Sequence, residues 1–90
     1  MIATFKVERV ELEGAASSVV MYGKVQNGEI VRGMVLEIPF NNSFSMGCEI
    51  DEISHQESDV RIVIKTEDAD EADFVASFNP VGETLNVVRQ

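Results

Sequence analysis

The chain contains no tryptophan, one cysteine, one histidine, two prolines and only seven basic residues against sixteen acids. Each scarcity excludes something. A lone Cys48 rules out an intrachain disulfide and any cysteine-rich zinc site, the staples on which small secreted domains usually depend. The opening MIATFKVERVELEG carries charge from Lys6 onward and has no long apolar run, so it does not read as a signal peptide. No stretch approaches the roughly 18 consecutive apolar residues of a membrane span. No GxxxxGK[ST] phosphate loop is present, so no nucleotide is expected to bind in that manner. Cytoplasmic location, no membrane partner and no cofactor are the expectations. Asn41-Asn42-Ser43 fits a glycosylation sequon, but without a secretory signal it reads as a polar turn.

What is present fits one small globular domain over residues 1–90. A chain of 90 residues buries roughly 60–65% of its unfolded surface. Its apolar content of 44% is too high for a disordered segment. The core must come from Val, Ile, Leu, Met and Phe. Net charge is −9, and its placement matters more than its sum. Ten acids lie between Glu49 and Asp73 against Arg61 and Lys65, whereas the first 38 residues hold five acids and four bases. Such a surface repels phosphate backbones and disfavours nucleic acid. It solubilises the chain, or it serves as a docking face for a basic partner.

Apolar residues alternate in short runs. Phe5 and Val7 share one face, while Val10 and Leu12 lie an odd number of residues away, so a β-bulge is expected at Glu8-Arg9. Glu13 to Ser17 reads as a small-residue loop. Val19, Met21, Gly23 and Val25 fall on one side, Val20, Tyr22 and Lys24 on the other. Mid-strand Gly23 marks a sharp bend or a close backbone approach. Asn27-Gly28 predicts a tight hairpin turn into a strand over 34–40, with Leu36 and Ile38 inward and Pro39 at an edge or a strand end. Phe44, Met46, Cys48 and Ile50 alternate, and a second phase slip at Asp51-Glu52 predicts another bulge. His55 to Ser58 is a polar connection, and Val60, Ile62 and Ile64 form an inward face. Asp68 with Glu71 has capping-box spacing, and either Thr66 or Asp68 would start a short helical turn near 67–73. Phe74, Val75 and Phe78 are expected to be buried. Asn79 to Gly82 is a turn, and a last strand points Leu85 and Val87 inward. These signals predict an all-β domain, a small six-stranded antiparallel β-barrel, with a two-sheet sandwich as the alternative.

The stretch Ser18–Ile38 resembles the opening hairpin of the second domain of translation GTPases, the family of elongation factor Tu. The family's small residue, β-branched run, Gly-basic-Val, turn glycine, Ile, further Gly and alternating strand fall on Ser18, Val19-Val20-Met21, Gly23-Lys24-Val25, Gly28, Ile30, Gly33, and Leu36 with Ile38. Val60–Ile64 and Gly82-Glu83-Thr84-Leu85 resemble a late strand and a closing turn. Ser18 and Thr66 stand where that family usually has glycine, and the loop Thr66–Asp73 is more acidic. The resemblance implies a stand-alone β-barrel and, in that family, contact with ribosomal or transfer RNA. Lys24 takes the family's basic position. Lys24 and Arg32 would then be the RNA contacts of a ribosome-associated accessory protein, a role the acidity opposes.

Chemistry-bearing residues are sparse. His55 lies in a polar segment, and Cys48 lies on an alternating apolar face where a thiol is usually inert. A shared pocket would be needed to make them nucleophile and base. Glu67, Asp68, Asp70, Glu71 and Asp73 supply oxygen ligands but lack the central glycine and distal glutamate of a calcium loop. No catalytic, metal or cofactor residue is therefore assigned. The expected function is that of a non-catalytic module binding a protein partner through a barrel face or through the acidic run. Lys24, Arg32 and the five acids of 67–73 are its candidate contact residues.

Overall fold

A computed structural model describes residues 3–13, 17–39, 45–56, 59–77 and 81–89. The predicted turn at Asn41-Asn42-Ser43 lies outside them, as do Phe40, Phe44 and Phe78 and parts of the expected loops at 13–17, 55–58 and 79–82, of which Glu13, His55 and Gln56 instead lie in strands. The described chain is all-β apart from one helix. Its elements are β1 (Ala3–Glu13), β2 (Ser18–Asn27), β3 (Val35–Pro39), β4 (Ser45–Glu49), β5 (Glu52–Gln56), β6 (Asp59–Lys65), α1 (Ala69–Ser77) and β7 (Thr84–Val88). Among the described residues no helix is long and apolar enough to cross a membrane.

The strands form one antiparallel sheet in the order β4-β3-β7-β1-β2-β6-β5. Seven strands stand where six were expected, because the segment 44–53 is two strands. At Ile50-Asp51 the chain leaves one margin of the sheet and starts the other, so the second phase slip is a break between strands. Ile50 donates its N–H to the Met34 carbonyl at 2.8 Å, and Asp51 donates to the Val63 carbonyl at 2.9 Å. The sheet is therefore curled enough for its two outermost strands to be joined by two residues. Among the described residues no ladder joins β4 to β5, so the sheet is open rather than a closed barrel.

The bulge read from parity at Glu8-Arg9 is present. Val7 faces Gly23 and Arg9 faces Tyr22, which leaves Glu8 as the extra residue. It divides β1 in two. The first half pairs with β7 from Ala3 to Lys6, and Val7 carries that edge on by donating to the Glu83 carbonyl and accepting from Gly82. Beyond the bulge only β2 stays paired to β1. Gly23 stands at a close approach, as its mid-strand position implied. A Cβ there would overlap the Lys6 carbonyl oxygen and come within 3.0 Å of the Phe5 ring.

The predicted hairpin between β2 and β3 does not form. Gly28 has the expected positive φ of 74°, but β2 is paired on both sides, with β1 and β6. β3 instead pairs with β4 and β7. The apolar β6 strand takes the edge of β2 that a hairpin partner would need. Residues 28–34 then carry the chain across, anchored by buried Ile30 and by the Gly33 N–H on the Ile50 carbonyl at 2.9 Å.

The core sits on the concave face. Phe5, Val7, Val19, Met21, Leu36, Ile38, Ile50, Ile62, Leu85 and Val87 are closed to solvent or nearly so. Val10, Met46 and Ile53 pack against it half-buried. Pro39 ends β3, where its missing donor costs nothing in the ladder. On the convex face Val20 lies opposite Val63, both buried, in a row with Tyr22 and Arg61.

Candidate functional site

Helix α1 is the element that sets the acidic residues in space. Thr66 donates both its N–H and its hydroxyl to the Ser17 carbonyl, at 2.9 Å and 2.6 Å. This ties the end of β6 to the start of β2 and places the helix at that end of both strands. Asp68, rather than Thr66, caps the helix, its Oδ1 accepting the Glu71 N–H at 2.8 Å. Acids at Asp70 and Glu71 in the first turn lie at the positive end of the helix dipole.

Ala72 and Val75, one turn apart, are buried in the main core and fix the helix's rotation. The helix packs on β1 and β2. Glu67, Asp68, Asp70, Glu71 and Asp73 are all exposed. Phe74, expected in the core, is 56% exposed. No lysine or arginine occurs between Lys65 and Arg89. An aromatic side chain therefore stands among carboxylates with no base in its own stretch of chain. Among the described residues no three metal-ligating side chains converge.

The basic residues are arranged differently. Lys6 and Lys24 are opposed across β1 and β2, and Arg9 faces Tyr22 three residues on. Arg9 stacks 4.1 Å over the Tyr22 ring and pairs with Glu11 at 3.0 Å. Lys24 lies 4.0 Å from Glu8. Arg61 pairs with Glu13 at 2.9 Å and reaches the Tyr22 hydroxyl at 3.4 Å, and Lys65 lies 3.8 Å from Glu52. Arg32 lies apart from that face, in the turn before β3. The structure thus brings Lys24 together with Lys6 and Arg9, and leaves Arg32 elsewhere.

Cys48 and His55 do not share a pocket. Cys48 is buried in β4, where burial first, and the carboxylate of Glu71 second, push its thiol pKa up. His55 is exposed on β5 opposite Val60. It lines an open cleft of about 420 Å³ with Lys24, Val25, Gly28, Glu29, Ile30 and Val60. That cleft lies at the end of β2 remote from α1. A smaller cleft holds Arg32 with Arg89, Val31, Gly33 and Met34.

Sequence reasoning missed the exposure of Phe74 and the meeting of Arg32 and Arg89 in one cleft. The first was readable from helical spacing. The second depends on β3 and β7 becoming neighbours, which no local signal encodes. Comparison of the chain with protein-family models, with curated proteins and with solved structures finds no match.

Proposed function

We propose that this chain is a cytoplasmic, non-catalytic interaction module that binds a basic protein partner through the outward face of α1. The observation that carries the reading is Phe74, 56% exposed on a helix whose other outward residues include Asp70, Glu71 and Asp73. Apolar area at the centre with charge around it is the arrangement of a protein-binding patch. The carboxylates would steer a cationic surface to it, and the ring would supply contact area once water is excluded. The seven-stranded sheet beneath α1 would serve as a rigid support.

The test is binding of a defined basic amphipathic peptide, with alternating lysine and leucine, followed by fluorescence anisotropy at low and high salt. The expected result is binding that weakens with salt, is lost in Asp70→Asn/Asp73→Asn, and falls about tenfold or more in Phe74→Ser. Equal binding by all three proteins would remove α1 from the reading.

An RNA-associated role is the second reading, and the Lys6, Arg9 and Lys24 face is what favours it. Arg9 and Lys24 are already engaged by Glu11 and Glu8, which lowers their charge toward a phosphate backbone. Capture of nuclease-sensitive ribosomal particles, abolished in Lys6→Ala/Lys24→Ala, would favour that role over the first.

A further inference from the structure

Sixteen acids outnumber seven bases in this chain, so a base without a carboxylate neighbour is conspicuous. Arg9, Lys24, Arg61 and Lys65 each have an acidic partner. Lys6, Arg32 and Arg89 form no ion pair with any described residue, and of these three Arg32 and Arg89 line one cleft of about 260 Å³. They come from opposite parts of the chain. Their meeting follows from the ladder, since Val35 of β3 pairs with Val88 of β7 and the two arginines lie just outside that pair.

The turn bearing Arg32 is held on several sides. Met34 donates its N–H to the Val31 carbonyl at 3.3 Å, and the Val31 N–H points at the Met34 Sδ at 3.3 Å. Gly33 takes a φ of 94°, which favours glycine, and its N–H meets the Ile50 carbonyl at 2.9 Å. The apolar wall of the cleft is Met34 together with Val31, whose side chain is 43% exposed. An adjoining cleft of about 220 Å³ shares Val31, Met34 and Arg89 and adds Glu29.

We propose that this cleft binds a phosphate monoester of a small organic molecule. Two guanidinium groups present forked N–H donors that match the oxygens of a tetrahedral dianion, and their summed charge is equal and opposite to its own. A single carboxylate would leave one of them unmatched. Val31 and Met34 receive the apolar part of the ligand, and Glu29, which lines the adjoining cleft with Arg89, meets a hydroxyl or amine donor on it.

The probe is phenyl phosphate, titrated into the isotope-labelled protein while backbone amide shifts are followed. Inorganic phosphate and sodium chloride at matched ionic strength run in parallel, with a short oligouridylate as a further arm. The expected result is saturable movement of the amides of residues 31–34 and 89, with a dissociation constant on the order of 1 mM. Inorganic phosphate should bind more weakly at the same amides, and chloride should not saturate. Arg32→Gln and Arg89→Gln should each weaken phenyl phosphate about fivefold or more. Both side chains are exposed, so the remaining amide shifts will report an intact fold. Shifts that fail to saturate, that chloride reproduces, or that survive both substitutions would overturn the proposal. Tighter binding by the oligouridylate at the same amides, lost in the same variants, would overturn the small-molecule assignment in favour of a polynucleotide. None of these readouts involves α1.

Discussion

Two strand glycines, Gly23 buried in β2 and Gly47 exposed in β4, answer differently to one added methyl group. At Gly23 the new carbon would collide with the Lys6 carbonyl, which is backbone inside the β1–β2 ladder and cannot turn away. At Gly47 it would lie 2.9 Å from Val35 Cγ1, a side-chain methyl that can rotate. Gly23→Ala should therefore cost about 3 kcal/mol and Gly47→Ala about 1 kcal/mol, read as midpoint shifts in urea unfolding. Equal shifts would mean that the strands slide apart at no cost. Cys48 gives a second test at this scale. Its thiol is raised by burial and then by Glu71, so the folded state holds the proton longer than the unfolded one. The associated stability is complete below the unfolded thiol pKa of about 8.5 and is lost as pH rises through the higher folded value. Between neutral and alkaline pH the wild type should lose more stability than Cys48→Ala. Identical pH slopes would contradict the assignment.

Among the elements, those fixed by local alternation were legible. The bulge at Glu8 follows from one change of parity, and the inward faces of β2, β3, β6 and β7 follow from period two. Pairing was not legible in the same way. Asn27-Gly28 has the residues of a tight turn, but the partner of β2 is decided by β6, more than thirty residues away. Helix α1 was only half read. Its cap was visible in Asp68 and Glu71, whereas its rotation depends on Ala72 and Val75 reaching the core together. Phe74 is turned about 100° from Val75 along the helix and so leaves the buried stripe. The basic cleft had no legible counterpart, since Arg32 and Arg89 are 57 positions apart in the chain. Asp68→Ala should remove the bond to the Glu71 N–H and destabilise the protein by about 1 kcal/mol. Amide exchange should quicken in 69–72 before it does in β2. Unchanged exchange there would show that the packing of Ala72 and Val75 holds the first turn without its cap.

For the molecule as a whole, charge is distributed along β2. One end of that strand meets α1 and its exposed acids, and the other opens on Lys24 and His55. Ten residues of strand span roughly 33 Å, longer than a Debye length at physiological salt. The two ends therefore act on solvent and solutes independently, and Lys24→Ala/His55→Ala should leave the affinity of α1 for the basic peptide, read by fluorescence anisotropy, unchanged.

The two residues between β4 and β5 have a consequence of another kind. Ala3 of β1 lies opposite Val87 of β7, so the two ends of the described chain are neighbours, while Ile50-Asp51 joins strands that share no ladder. The polypeptide is thus laid out almost as a ring. Joining the ends with a short glycine-serine linker and cutting between Ile50 and Asp51 would yield a circular permutant that begins with β5 and ends with β4, every strand pairing retained. If that permutant unfolds cooperatively near the wild-type midpoint, the corner is a covalent convenience. If it does not fold, the corner is what holds the sheet in its curl.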